Sequence, residues 1–313
     1  MTVTLEKSAD WHEQRRRGIG GSDAGIIAGY TWGGRNTPYH LWQIKTGQRE
    51  PDDLSHDAKV RAGTLLEPVV VQMYRLEHPE LTIFHRKEMT TSKIYPWAYA
   101  HLDFSIHQAG SEWIPGEIKC PTHDDGWGPS GSTQIPDYYQ PQVQHNLAVT
   151  GKPYMKVVVL ISGWDLRSYE IARDQDYIDT LMENEAEFWA AVETGTEPRL
   201  YTADDVKARF PIAAEGRITA TPEVADTIAA YAKAKASQGR IEKEVAELAD
   251  KLAAVFGEFN TIVDENNNTL ATYKTIECTR VDQERLKTER PEIIEEYQTV
   301  GRYRRLVITK QRT

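Results

Sequence analysis

Five strand-like segments in the middle of this 313-residue chain constrain its fold more than any other feature. Each carries β-branched and aromatic residues between turn signals, as the strands of a packed sheet do. They occupy residues 81–91, 98–108, 112–121, 155–162 and 166–173. Helical patterns precede the first segment, separate the third from the fourth and follow the fifth. This order predicts an α/β domain with a mixed central sheet flanked by helices.

The helical segments carry start and stop signals. In one of them Thr37 is a candidate N-cap, Pro38 suits the first helical position and Gly47 is a stop. In another, Gly151 is expected to end the helix that crosses the sheet between the third and fourth strand segments. The predicted helices cover residues 22–30, 36–47, 57–78, 137–151 and 175–195.

The composition changes after residue 212, so we predict two domains, 1–212 and 213–313. Residues 221–256 are rich in Ala, Glu and Lys, with apolar residues every three or four positions. This pattern fits a long helix or a helical hairpin broken near Gly239, and we favour the hairpin. A β-hairpin, a short helix and a last strand over residues 302–310 are expected to complete a smaller C-terminal α+β module.

Charge and hydropathy limit the classes of function. The formal net charge of −10 argues against an indiscriminate nucleic-acid binder, although a basic channel can lie within an acidic body. The sequence contains no apolar run long enough to cross a bilayer, so no membrane association is expected. The two cysteines, Cys120 and Cys278, are too few for a disulfide framework, which favours a cytoplasmic location.

Residues 115–121, PGEIKCP, place two charges inside an apolar strand. Alternate residues of a strand share a face, so Glu117 and Lys119 project together while Ile118 points the other way. Burying these charges is costly unless they pair or meet a cation. Together with Asp103 and the main-chain carbonyl of Ile118, Glu117 offers the oxygen ligands that Mg²⁺ prefers. A surface salt bridge explains the Glu-x-Lys pattern alone, but not an acid in the preceding strand.

Five motifs in a fixed order resemble the YqaJ and phage lambda exonuclease family of PD-(D/E)XK nucleases. They are WHEQRRRGIGGSDAG at 11–25, RAGTLLEPVV at 61–70, AHLDFSI at 100–106, GEIKCP at 116–121 and YYQPQVQHNLAVTGK at 138–152. The resemblance covers residues 11–200 and implies a restriction-endonuclease-like core. The family name places a proline before the first acid, whereas His101 and Leu102 precede Asp103 here. The chemistry requires the acid rather than the proline.

The resemblance implies roles for several of these side chains. Asp103 and Glu117 match the metal-binding acids, and Lys119 matches the catalytic lysine that orients water or offsets charge on the phosphate. Glu67 matches a helix acid that approaches the metal site, although an exposed helix carboxylate is the simpler interpretation. Gln144 matches a glutamine that positions water or a phosphate.

Three further residues are expected to contact phosphate or DNA. Arg15 and Ser22 match family residues that bind a terminal 5′ phosphate, and Ser22 follows a glycine-rich turn where free N–H groups favour an anion. An ordinary helix cap is the alternative explanation of Ser22. Gln142 is a weaker candidate for DNA contact, because it lies two residues from Gln144 and faces elsewhere on the helix.

The activity implied by the resemblance is an Mg²⁺-dependent exodeoxyribonuclease. It would digest linear double-stranded DNA from an end, 5′ to 3′, and leave single-stranded tails for phage-type recombination. Two Mg²⁺ ions are expected, with Mn²⁺ as a substitute, and the implied partners are a homotrimeric ring and a single-strand annealing protein. A phage-encoded chain would act in the host cell cytoplasm. Two alternatives stay open: a DNA endonuclease on the same core, and a DNA-binding or docking protein with a vestigial nuclease.

Overall fold

A computed structural model of the chain describes residues 9–30, 36–86, 89–108, 110–301 and 303–308. The chain divides into two units between Arg209 and Phe210. The helices of the first unit are α1 (Ala9–Arg16), α2 (Gly21–Ile27), α3 (Pro38–Lys45), α4 (Ala58–Glu77), α5 (Gln140–Thr150), α6 (Gln175–Thr194) and α7 (Ala203–Arg209). Its strands are β1 (Ile19–Gly20), β2 (Thr82–His85), β3 (Met89–Thr91), β4 (Ala98–His101), β5 (Phe104–His107), β6 (Ile114–Lys119), β7 (Tyr154–Ile161) and β8 (Asp165–Ala172).

The main sheet has five strands in the order β2-β5-β6-β7-β8. Strands β6 and β7 are parallel, with Glu117 beside Val157, and the other neighbours are antiparallel. A second sheet has the order β1-β4-β3. Helices pack on both faces of the main sheet. The predicted α/β class, with a mixed central sheet flanked by helices, is confirmed.

Two of the predicted strand segments are each divided between the two sheets. Residues 81–91 form β2 in the main sheet and β3 in the second, and residues 98–108 form β4 and β5. The second break falls at Leu102 and Asp103, so Asp103 lies where the chain passes from one sheet to the other. Sequence patterns do not show this break, because both halves are apolar and β-branched or aromatic.

Strand β7 shows how the core is organised around the sheet. Val157 and Val159 pack with α5 and α6 on one face. Val158 and Leu160 pack with α4 on the other face. Because successive side chains of a strand point to opposite faces, an apolar run buried on both sides belongs in the middle of a sheet.

Local signals place the ends of the helices. Thr37 accepts a hydrogen bond from the His40 N–H at 3.2 Å, and Pro38 is the first residue of α3, as predicted. Gly151 has a φ of 69° and ends α5, also as predicted. Ser22 is not a cap, because α2 begins at Gly21 and the Gly20 N–H donates to the Asp23 carboxylate.

A buried histidine fixes α5 against its neighbours. His145 Nδ1 lies 2.8 Å from Glu185 Oε1 on α6, and its Nε2 lies 2.9 Å from the Tyr99 carbonyl oxygen on β4. Burial lowers the pKa of His145, but Glu185 outweighs that effect and the net pKa is raised. The Tyr99 carbonyl oxygen can only accept, so Nε2 donates to it, and the two contacts of this ring hold α5 between α6 and the second sheet.

The second unit contains α8 (Pro222–Phe256), β9 (Thr261–Val263), β10 (Thr269–Thr272), α9 (Gln283–Glu289) and α10 (Pro291–Tyr297). The helical hairpin expected near Gly239 is wrong, because α8 is one continuous helix of 35 residues. A single glycine costs about 1 kcal/mol relative to alanine and does not end a helix whose neighbours are strong helix formers.

The other expectations for this unit have mixed outcomes. Strands β9 and β10 form the predicted hairpin, with Asn267 in the left-handed region at a φ of 65°. The predicted last strand does not form over residues 303–308, while residues 302, 309 and 310 lie outside the described part of the chain. Within the described ranges, no helix combines the length and apolar character needed to cross a membrane.

Gly116 makes a close contact within the main sheet, and this contact generates a prediction. A Cβ at this position would lie 2.2 Å from the Phe104 ring of the neighbouring strand. We expect Gly116→Ala to lower the free energy of unfolding by about 1–3 kcal/mol, because the ring must leave its packed position. Urea denaturation measures the difference.

Gly63→Ala is the matched control, because nothing lies within 4 Å of a Cβ added at that position of α4. It should leave the free energy of unfolding unchanged or raise it by up to about 1 kcal/mol. Equal stability of Gly116→Ala and the wild type would contradict the packing of Phe104 over Gly116.

Candidate active site

Glu117 and Lys119 form a buried ion pair on β6. Lys119 Nζ lies 2.7 Å from Glu117 Oε1, and only 3% of Glu117 is exposed. Both point toward α5, while Ile118 packs on the opposite face with α4. The strand period therefore predicted their shared face correctly, and the pair is not a surface salt bridge.

Asp103 reaches the same strand from the break between β4 and β5. Its N–H donates to the Gly116 carbonyl at 3.1 Å, and its carboxylate accepts from the Ile118 N–H at 2.7 Å. Burial raises the pKa of Asp103 well above its usual range, and the nearby Glu117 carboxylate is the second cause. The two acids thus share one small region with a single ammonium, which favours the neutral form of Asp103 more than in an exposed aspartate.

Gln142, rather than Gln144, is the glutamine of this site. Gln142 Nε2 donates to Glu117 Oε1 at 2.6 Å, and Lys119 Nζ donates to Gln142 Oε1 at 3.0 Å. Gln144 instead donates to the Ala172 carbonyl at 2.9 Å and accepts from the Asp174 N–H at 3.0 Å. The assignment of Gln144 to the site is wrong, because residues two apart on a helix face different directions and this one faces β8.

Lys119 is held as an ammonium ion. Burial opposes its charged form, but Glu117 and Asp103 outweigh burial and raise its pKa above the ordinary value. The nitrogen also lies 5.0 Å from the centre of the Tyr139 ring, a favourable position for a cation. Lys119 therefore offers a fixed positive charge rather than a base.

The donor set fits a hard cation such as Mg²⁺. Asp103 and Glu117 supply two carboxylates beside the single ammonium of Lys119, and burial followed by the Glu117 charge raises the pKa of Asp103. In the described residues, no three His, Cys, Asp or Glu side chains gather as a complete metal cage. Mg²⁺ does not need one, because it is commonly held by one or two carboxylates together with waters and substrate phosphates.

Glu67 lies at the edge of this region. Its charge raises the pKa of Asp103 and of the Cys120 thiol, so α4 brings the carboxylate into electrostatic range of both. It does not complete a three-carboxylate group with Asp103 and Glu117. The structure therefore brings the Glu67 charge within electrostatic range of Asp103, in agreement with the predicted approach to the site. A catalytic role for Glu67 stays a prediction.

Arg15 and Ser22, which were predicted to bind a phosphate, lie together. Arg15 Nη2 donates to the Ser22 hydroxyl at 2.8 Å and to Asp23 Oδ1 at 3.1 Å. The side chain of Lys45 is buried, and its Nζ lies 2.7 Å from Asp23 Oδ2. Burial favours the neutral form of Asp23, but Lys45 and Arg15 outweigh it and lower its pKa to about 2.

Helix α5 connects this basic cluster to the carboxylates. Asn146 Nδ2 donates to Glu117 Oε2 at 3.3 Å, on the same face of α5 as Gln142. A Cβ at Gly21 would lie 2.6 Å from Asn146 Oδ1 and 3.1 Å from Gln142 Cγ. The start of α2 therefore lies directly against the face of α5 that holds Glu117.

Sequence reasoning missed Asn146, Asp23 and Lys45. For Asn146 a signal was present, because it lies four residues after Gln142 and so shares its face of the helix. That spacing would have favoured Gln142 over Gln144. No comparable signal links Asp23 with Lys45, since their contact depends on how α2 and α3 pack.

The mixed sheet and the grouping of Asp103, Glu117 and Lys119 on it define the class of protein, a PD-(D/E)XK nuclease fold. Residues 10–153 match the family model of the YqaJ-like viral recombinase domain, so this part of the chain is similar to that family.

A curated relative is the uncharacterized protein YqaJ of Bacillus subtilis (strain 168). It is 29% identical over 324 aligned positions, which cover 98% of this chain and 96% of the relative. Two solved structures are also similar. An alkaline exonuclease from Laribacter hongkongensis is 18% identical, with a TM-score of 0.49, over 60% of this chain and 94% of its own. A phage-related exonuclease from Haemophilus somnus 129PT is 11% identical, with a TM-score of 0.43, over 58% and 96%.

The contact between α2 and α5 generates a prediction. Gly21→Ala should lower the free energy of unfolding by about 1–3 kcal/mol, because the added methyl group displaces Asn146 or Gln142. Thermal or urea unfolding of the whole chain measures this loss.

Gly25→Ala on the same helix is the matched control, since its Cβ would meet only the Tyr138 carbonyl oxygen at an ordinary 3.7 Å. It should be neutral or stabilising by up to about 1 kcal/mol. If the two variants lose the same stability, the close approach at Gly21 is not specific.

Proposed function

We propose that the protein is an Mg²⁺-dependent deoxyribonuclease that digests linear duplex DNA from an end, 5′ to 3′, and leaves single-stranded tails for phage-type recombination. One observation carries the proposal. Asp103 and Glu117 meet beside the Lys119 ammonium, and Gln142 bridges Glu117 and Lys119. The match of residues 10–153 to the YqaJ-like viral recombinase domain model supports the same conclusion.

Asp103, Glu117 and the main-chain carbonyl of Ile118 would hold the cation, and a second ion is expected to bind together with the substrate. When bound, Mg²⁺ supplies Lewis-acid stabilisation of the phosphate charge and makes water at the site more acidic. Mn²⁺ has similar ligand preferences and is expected to substitute.

Lys119 acts on the phosphate as a fixed positive charge. Its raised pKa keeps it protonated at neutral pH, so it stabilises charge that develops on the scissile phosphate instead of removing a proton from water. Gln142 holds the ammonium and Glu117 in place through its two amide atoms. Glu67 contributes negative charge at the edge of the site, beyond Asp103.

Arg15 and Ser22 support digestion from a 5′ end. Their side chains already contact each other at 2.8 Å, and a guanidinium with a hydroxyl is suited to a terminal phosphate. The closeness of Gly21 to Asn146 keeps this cluster next to the carboxylates. A duplex end whose 5′ phosphate is bound there would present its next linkages to the cleavage site.

The assembly and partner belong to the same proposal and are supported by the family resemblance. A homotrimeric ring would enclose the DNA and keep it bound between cleavage events. Such a ring can place basic residues in its channel and leave the acidic excess of the −10 chain outside. A single-strand annealing protein would then receive the exposed strand.

The chemistry is tested on linear duplex DNA with Mg²⁺. We expect the wild type to release nucleotides and Lys119→Ala to lose roughly 10²-fold or more in kcat, because a fixed charge at the phosphate is removed. Release of acid-soluble nucleotide measures the rate.

Lys156→Ala is the matched control. Lys156 lies on β7 and pairs with Glu170 at 2.9 Å, on the opposite face from Lys119. It should retain full activity. Equal inactivity of the wild type and Lys119→Ala across Mg²⁺ and Mn²⁺ would overturn the assignment, and would favour a DNA-binding or docking protein.

End dependence and polarity are tested with three substrates: linear DNA with a 5′ phosphate, linear DNA with a 5′ hydroxyl, and covalently closed circles. We expect the phosphorylated duplex to be digested fastest and the circles to stay intact. Arg15→Ala should reduce the preference for the phosphorylated end, because it removes the guanidinium that would bind that phosphate. Electrophoresis of end-labelled strands measures rate and direction.

Arg17→Ala is the control for Arg15→Ala, since Arg17 is largely exposed and pairs with Glu13 at 3.3 Å. It should keep the end preference of the wild type. Nicking of closed circles would support the endonuclease alternative, and digestion that starts at 3′ ends would contradict the proposed polarity.

A further inference from the structure

Helix α8 of the second unit exposes an apolar stripe along most of its length. The stripe residues are between 38% (Tyr231) and 70% (Val255) exposed. They are Val224, Ile228, Tyr231, Ile241, Val245, Leu248, Leu252 and Val255. Contiguous apolar surface of this kind marks an interaction site, and spacings of three and four residues are those of a coiled-coil seam.

The stripe is nearly symmetric about Gln238. Seven of its residues lie 7, 10 and 14 residues before Gln238 and 3, 7, 10 and 14 residues after it. The eighth position of this pattern, three residues before Gln238, is Lys235, and Val255 lies outside the pattern. If two such helices lie antiparallel with Gln238 beside Gln238, each of these positions faces another. Ile228 then faces Leu248, and Tyr231 faces Val245. The sequence of the helix therefore complements itself in the antiparallel direction.

The polar residues at the centre distinguish antiparallel from parallel pairing. Lys235, the charged residue at one of these eight positions, donates to Gln238 Oε1 at 2.9 Å, and Gln238 donates to Glu242 at 2.8 Å. In the antiparallel pair, Lys235 lies opposite Ile241, one residue from Glu242 of the other copy. In a parallel pair in register, Lys235 would face the same lysine, and like charges at a seam repel.

The continuity of α8 decides where the complementary halves meet. A hairpin that turned at Gln238 would let them meet within one chain, but α8 runs unbroken from Pro222 to Phe256. Ile228 and Leu248 are then roughly 30 Å apart along one helix. The two halves can face each other only when they come from different copies.

We propose that α8 pairs antiparallel with α8 of a second copy of this chain, centred on Gln238. This interface does not depend on the proposed nuclease activity or on how the first units associate. If the first units do not associate, pairing through α8 makes a dimer of twice the mass. If they form a closed ring of three, pairing through α8 joins two rings face to face and again doubles the mass.

The mass of the full chain tests the proposal. Leu248→Glu places a charge in the stripe, opposite Ile228 of the other copy, and we expect it to halve the mass measured by light scattering. Ala246→Glu introduces the same residue on the opposite face of α8 and should keep the mass of the wild type. Equal masses for the wild type and Leu248→Glu would overturn the proposal, as would halving by Ala246→Glu.

Disulfide formation tests the direction of pairing in a chain with Cys120→Ala and Cys278→Ser. Ile228→Cys combined with Leu248→Cys should form a covalent dimer on oxidation, because each cysteine faces its counterpart in the other copy. Either substitution alone should give none, since identical positions lie roughly 30 Å apart in the antiparallel pair. A covalent dimer of either single variant would show parallel pairing and overturn the antiparallel arrangement. Failure of the double variant to cross-link would do the same.

Discussion

The burial of an ion pair in the central strand is the constraint on which the first unit depends. Glu117 and Lys119 lie beneath α5, where unpaired charges are costly, so they pair with each other and with polar side chains of that helix. Gln142 and Asn146 donate to Glu117 from one face of α5. Asp103, which adds a second carboxylate, makes the region short of positive charge. Such an arrangement reduces stability on its own terms, and the proposed function would explain it by the cation and phosphate bound there.

The elements around this pair are held at close range by small residues and buried polar contacts. Gly116 lets the Phe104 ring pack over β6, and Gly21 lets α2 lie against α5. His145 fixes α5 to α6 and β4 through hydrogen bonds at both ring nitrogens. These contacts join the carboxylate region to the Arg15 cluster, so the proposed cleavage and the proposed recognition of a DNA end would share one framework.

The second unit is stabilised in a different way from the first. Its long helix has few buried residues and gains stability from helix propensity and local side-chain pairs. Within the described residues, the apolar stripe of this helix stays exposed. The proposed antiparallel pairing about Gln238 would account for that exposure. An element of this kind suits assembly between chains rather than catalysis.

The sequence by itself determined the features that depend on local periodicity. The strand period put Glu117 and Lys119 on one face, and the capping residues Thr37 and Gly151 marked where helices start and end. Tertiary packing decided the rest, because orientation about a helix axis and breaks within apolar runs depend on distant neighbours. It selected Gln142 instead of Gln144, through the direction in which α5 lies on the sheet. It also split one apolar segment at Asp103 between two sheets, a division that alternation of side chains along a strand does not encode.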